Sequence, residues 1–82
     1  MTVRVLFFSL FREIAGADEV SVALSESAAS VADLLASLYA DHSGLQGWDE
    51  KMLIAVNCEY ADRDEELNEG DEVALMPPVQ GG

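Results

Sequence analysis

The chain has 82 residues, half of them hydrophobic, enough for one small compact core and too little for two. Asp and Glu number 16 against 4 Lys and Arg, a formal net charge of −12. That balance excludes a nucleic-acid binder that tracks phosphates and a dock on anionic lipid, and it suits a positively charged protein partner.

Residues 2–11 alternate, with Val3, Val5 and Phe7 on one side and Arg4, Leu6, Phe8 and Leu10 on the other. Period-2 spacing of β-branched and aromatic residues predicts a strand, and apolar groups on both faces place it centrally. Residues 19–24 alternate again, with Val20, Val22 and Leu24 together. Gly16, Ala17 and Asp18 between the two predict a turn, hence an antiparallel hairpin. Ser30 followed by Asp33 predicts a capping box. Val31, Leu34, Leu35, Leu38 and Tyr39 form one apolar helical face behind it, with Asp33, Ser37 and Asp41 toward water. Gly44 marks the expected stop, and residues 43–50 read as a loop.

Residues 52–57 read as a short buried strand, with Glu59 and Tyr60 beginning a neighbour. Glu59, Asp62, Asp64, Glu65, Glu66, Glu69, Asp71 and Glu72 then concentrate the negative charge, offset only by Arg63. This stretch is either a solvated surface or a docking face for a basic partner. Asn68-Glu69-Gly70-Asp71 signals a turn with positive φ at Gly70. Residues 72–76 form the last strand, ended by Pro77-Pro78. The order strand, strand, helix, strand, short strand, strand predicts an α+β fold, a mixed sheet of four to five strands on one main helix. The division expected is a domain over 1–76 and a tail over 77–82.

No triad or Cys-His spacing is present, and no metal-ligand set, so neither a resident metal nor a bound cofactor is expected. The acidic stretch lacks the spacing of a calcium loop. Cys58 reads as a half-buried structural thiol and His42 as a solvated residue at a helix end. One cysteine excludes an internal disulfide and fits a reducing interior. No run approaches the roughly 18 apolar residues of a membrane span, and the opening MTVRVLFF lacks a secretory layout. The expected compartment is the cytoplasm, with no membrane partner.

The tail carries the most information. Pro77-Pro78 hold an extended shape, and Val79 and Gln80 lead to Gly81-Gly82. Two residues without side chains suit passage through a narrow channel. The Gly82 carboxylate is unhindered for attack on an activated phosphate, after which it becomes an electrophile. That chemistry points to a carrier whose end is activated by another protein.

The segments Val5-Leu6-Phe7-Phe8, Arg12-Glu13-x-x-Gly16, Val56-Asn57, Gly70-Asp71-Glu72-Val73-Ala74 and Pro77-Pro78-Val79-x-Gly81-Gly82 resemble the small sulfur-carrier subunits of molybdopterin synthase. The resemblance runs from the first strand to the last residue. It implies a ubiquitin-like β-grasp fold, in agreement with the predicted element order. It implies that a ubiquitin-activating-like adenylyltransferase uses ATP to convert the Gly82 carboxylate into an acyl-adenylate. Sulfur from a donor enzyme then replaces AMP, giving a thiocarboxylate. Gly82 is thus the reacting residue, and Gly81 gives the tail access.

The tail would insert into the large synthase subunit, in a heterotetramer of two small and two large subunits. There the sulfur would pass to cyclic pyranopterin monophosphate to build the dithiolene of molybdopterin. The chain is then a non-catalytic subunit, since the acids and bases belong to the large one. The resemblance also implies an apolar partner interface at Phe8, Tyr60, Met76, Pro77, Pro78 and Val79. Val3, Val5, Phe7, Val20, Val22, Val73 and Leu75 are expected on the opposite, helix-covered face. A Gly-Gly tail would equally serve a carrier for thiamine, cysteine or tRNA thiolation, or close a non-carrier interaction domain. The Pro-Pro-Val spacing and the Gly70–Ala74 run favour molybdopterin.

Overall fold

The structure, a computed structural model, describes residues 1–25 and 29–78. The elements are β1 (Thr2–Phe7), α1 (Leu10–Ala15), β2 (Glu19–Ala23), α2 (Val31–Asp41), a 3₁₀ helix (Ser43–Trp48), β3 (Leu53–Val56), β4 (Glu59–Tyr60) and β5 (Glu72–Met76). They form one five-stranded sheet in the order β2-β1-β5-β3-β4. The first and last strands, β1 and β5, pair in parallel at its centre, and the other pairings are antiparallel.

The predicted alternation places the core. Val3, Val5 and Phe7 from β1, Val73 and Leu75 from β5 and Ile54 from β3 turn to one face of the sheet. Val31, Leu34, Leu35 and Leu38 of α2 belong to the same buried cluster. Val20 and Val22 lie at its margin, half-buried on the edge strand β2.

The capping box of α2 is present. The Ser30 amide donates to Asp33 Oδ2 at 2.9 Å, and the Asp33 amide donates to Ser30 Oγ at 3.3 Å. The two amides before Asp33 also find acceptors. Val31 N–H donates to the Glu65 carbonyl at 2.9 Å and Ala32 N–H to the Arg63 carbonyl at 2.8 Å. The amides a helix start leaves unpaired are therefore satisfied by the acidic loop's backbone. That loop lies where the helix dipole favours negative charge. Ser30→Ala is expected to lower the unfolding free energy by about 1 kcal/mol, read from urea denaturation. An unchanged midpoint would mean that the loop carbonyls hold the helix start without the cap.

Two stretches differ from the sequence expectation. The first strand stops at Phe7, and residues 10–15 form α1 instead of continuing it. Leu10, Phe11, Ile14 and Ala15 recur at helical spacing, and Phe11 is fully buried. The strand pattern runs on through Phe8 and Leu10, which hides a six-residue helix behind it. β1 and β2 are antiparallel as expected, but α1 and the left-handed Gly16 (φ 75°) join them, in place of a simple turn. Likewise α2 ends at His42, and residues 43–48 are a 3₁₀ helix that buries Leu45, in place of a loop. His42 is half-buried, its ring edge-on to Phe7 with centroids 6.1 Å apart.

A polar clamp closes the far side of the core. Tyr39 Oη donates to Asp49 Oδ1 at 2.5 Å. Arg63 donates to the Asp49 carbonyl and lies 3.3 Å from its Oδ1. Burial pushes the Tyr39 phenol well above its ordinary range, and the bond to Asp49 adds to the shift. This joins α2, the turn after the 3₁₀ helix and the acidic loop.

Candidate functional site

The sheet face away from α2 is built by the residues the core does not use. Strand register places Glu19, Leu6, Ala74, Ala55 and Tyr60 in one row across all five strands. The next row toward β5's end pairs Met76 with Leu53. Phe8 follows directly on β1, its amide donating to the Leu75 carbonyl at 3.2 Å. The alanines at the centre leave space, and the larger side chains stand around it. The result is an open hollow of about 270 Å³ lined by Phe8, Ala55, Cys58, Tyr60, Ala74 and Met76.

The rim is apolar and exposed. Phe8 is 43% and Tyr60 78% exposed, while Met76 is half-buried between them. Exposed large hydrophobics among the described residues are Phe8, Leu10 and Tyr60. Two adjoin this hollow, a concentration that marks a contact surface. At the other end of the face the charges pair among themselves. Arg4 contacts Glu72 and lies 3.9 Å from Glu19. Away from that end, Arg12 of α1 lies 3.7 Å from Asp18, and Arg63 is held by Asp49 in the clamp described above. Three arginines are thus engaged locally, which leaves most of the acidic surplus facing solvent.

The β3–β4 hairpin fixes one wall. Its two-residue loop, Asn57-Cys58, has φ of 49° and 72°, the double left-handed geometry of a type I′ turn. Asparagine tolerates that conformation. Here its side chain also bonds outward: Nδ2 donates to Asp71 Oδ1 at 2.9 Å and Oδ1 accepts from the Glu72 amide at 3.0 Å. Asn57 therefore locks the hairpin to the start of β5, and Tyr60 is carried into position by that lock. Cys58 occupies the second left-handed position and is exposed at the hollow, not half-buried as the sequence suggested. The reason is the turn itself, which lifts Cys58 out of the strand.

Pro77 and Pro78 leave β5 half-buried and line a second groove beside Phe8 and Met76. Phe8, Tyr60, Met76, Pro77 and Pro78 thus share one continuous surface. Val79, Gly81 and Gly82 lie outside the described residues. Sequence reasoning missed Ala55, Ala74 and Cys58 as lining residues. Alternation of Ala74 with Met76 was the available signal for one of them. Among the described residues no group of three or more His, Cys, Asp or Glu is placed to hold a metal. No helix there is long and apolar enough to cross a membrane.

The sequence model described as the ThiS family matches residues 5–82. The chain belongs to the ThiS family. Several relatives carry the name molybdopterin synthase sulfur carrier subunit. That of Chlamydomonas reinhardtii is 40% identical with both chains fully covered, and that of Escherichia coli is 38% identical over 98% of this chain and 99% of its own. The crystal structure of SAMP1 from Haloferax volcanii superposes with a TM-score of 0.87 at 32% identity over the whole of both chains. One chain from a structure of the complex of subunits 1 and 2 of molybdopterin-converting factor from Helicobacter pylori superposes with a TM-score of 0.72 at 28% identity, over the whole of this chain and of that one. The fold of this family member is the ubiquitin-like β-grasp.

Proposed function

We propose that this chain is the sulfur carrier of a molybdopterin synthase, working in the cytoplasm. The observation that carries this is the path of β5. The strand lies between β1 and β3, crosses the floor of the exposed apolar hollow through Ala74 and Met76, and runs straight into Pro77-Pro78. A partner that covers the hollow also fixes the direction of whatever follows Pro78. The naming of full-length relatives as carrier subunits, and the likeness to a subunit of a two-subunit complex, support the large synthase subunit as that partner.

The reaction then divides between proteins. A ubiquitin-activating-like adenylyltransferase binds ATP, and a Gly82 carboxylate oxygen attacks its α-phosphate with loss of pyrophosphate. Hydrosulfide supplied by a donor enzyme attacks the acyl carbon, forming the C–S bond as the C–O bond to AMP breaks, and leaves a thiocarboxylate. In the large subunit that sulfur bonds to a carbon of cyclic pyranopterin monophosphate, and water cleaves the acyl–sulfur bond, which leaves the sulfur on the pterin and returns Gly82 to a carboxylate. Tethering gives the sulfur an effective concentration that free sulfide lacks. This chain's part is to bind, to aim and to fit: Phe8, Tyr60 and Met76 dock, Pro77, Pro78 and Val79 guide, and Gly81 passes the constriction before Gly82. Catalytic groups are left to the partner, and no cofactor resides in the carrier.

The test is intact-protein mass spectrometry after incubation with ATP, the activating enzyme and a sulfur donor. The expected product is heavier by the difference between sulfur and oxygen and supports pterin thiolation when the large subunit is added. No mass change with a competent activating enzyme would end the carrier reading. The likeness to SAMP1, named a small archaeal modifier, favours protein modification as a second reading. The same acyl-adenylate would then be attacked by a lysine amine, and products heavier by the whole chain would identify it.

A further inference from the structure

The groove at the root of the tail is a separate feature from the sheet hollow. It measures about 500 Å³ and shares Phe8 and Met76 with the hollow, but its own walls are Ser9, Leu10, Trp48, Pro77 and Pro78. Leu10 is 38% exposed. Trp48 is half-buried and held by an edge-on contact with Phe11, ring centroids 5.9 Å apart. Ser9 has φ 52°, a left-handed value that non-glycine residues adopt at a cost. The bend at Ser9 turns the chain out of β1 and into α1, so Leu10 walls this groove and does not continue along the sheet. The walls are mainly carbon.

We propose that this groove is a second docking site, filled by an apolar side chain at the mouth of the channel through which the large synthase subunit takes the tail. The inference rests on the carrier reading. With Gly82 as the reacting end, only four residues follow Pro78, a reach of at most about 14 Å. A subunit that encloses the Gly82 carboxylate must therefore bring its surface up to Pro78. The groove lies at that point, continuous with the hollow the same partner covers. Leu10 and Trp48 become positioning residues: they touch no reacting atom, and they set the angle at which Pro77-Pro78 present the tail.

The test uses the full chain with Leu10→Gln, a neutral helix-forming substitution of similar length at a partly exposed site. Its affinity for the large subunit is expected to fall by about tenfold, with the thermal unfolding midpoint unchanged. Single-turnover sulfur transfer from the preassembled complex should slow as well, and Leu10→Met should restore both. Wild-type affinity in Leu10→Gln overturns the proposal, whatever the transfer rate. A loss confined to the adenylyltransferase overturns the choice of occupant. If the wild-type chain itself fails to bind the large subunit, the carrier reading falls and takes this inference with it. A wild-type chain that binds, beside an unaffected Leu10→Gln, sinks the groove alone.

Discussion

Removal of Gly82 abolishes sulfur transfer and leaves thermal unfolding where it is. The two halves of that expectation come from different parts of the chain. Among the described residues the buried core ends at Leu75, and β5, the last element, ends at Met76. Truncation six residues beyond the end of β5 leaves the core and the sheet ladder of the described residues in place, so the fold is expected to survive it. The chemistry has no such tolerance. Losing one residue draws the reacting carboxylate back by about 3.3–3.6 Å. A misplacement of 1 Å alone can cost about a hundredfold in rate, so loss of at least that factor is expected. Pterin thiolation by the truncated chain, assayed beside wild type with the same large subunit, measures it. Transfer at more than a few per cent of the wild-type rate would show that the sulfur does not travel on Gly82. Binding to the large subunit should survive in part, because the hollow is intact. Docking and delivery would then be separable in a single variant.

How much of this was legible in the sequence depends on the range of the signal. The capping box of Ser30 and Asp33 and the bounds of β5 follow from spacing within a few residues, and both are present. The Asn68–Asp71 turn is equally local, with Gly70 at φ 82°. The helix α1 was not legible, because Phe8 and Leu10 extend the alternation of β1 and only the left-handed Ser9 breaks it. Phe11, Leu45 and Leu67 are fully buried, yet two of the three lie outside the α-helices and strands, with no period to announce them. The parallel pairing of β1 with β5 joins opposite ends of the chain, so alternation could assign faces but not neighbours. The site divides the same way. Phe8 and Met76 are placed on the open face by alternation, whereas Tyr60 sits in a two-residue strand too short to show one. The hollow between them depends on Ala55 lying against Ala74, a register that no local pattern contains. The exposure of Cys58 needed the turn geometry.

Phe8→Asp is expected to cost far more in binding to the large subunit than in folding. The backbone at Phe8 is pinned on both sides: its amide donates to Leu75 and its carbonyl accepts from Phe11 at 3.1 Å. The side chain is 43% exposed, outside the cluster built by Val5, Phe7 and Leu75. Its replacement should therefore lower the unfolding free energy by no more than about 1–2 kcal/mol. Binding is another matter, because Phe8 lines both the hollow and the groove and so stands at the centre of the apolar surface. Truncating a central aromatic anchor typically costs about 2–4 kcal/mol, and a carboxylate placed against an apolar partner adds desolvation. A fall of two to three decades in affinity follows, on the order of 1.4 kcal/mol per decade. Calorimetric titration of wild type, Phe8→Asp and Phe8→Ala measures it. The new charge joins a chain already at −12, so salt separates the two causes. If Phe8 acts by filling a pocket, Phe8→Ala is also weak and raising the ionic strength restores little. If Phe8→Ala binds like wild type and salt rescues Phe8→Asp, the face works by charge, and the acids between Glu59 and Glu72 become the surface that matters.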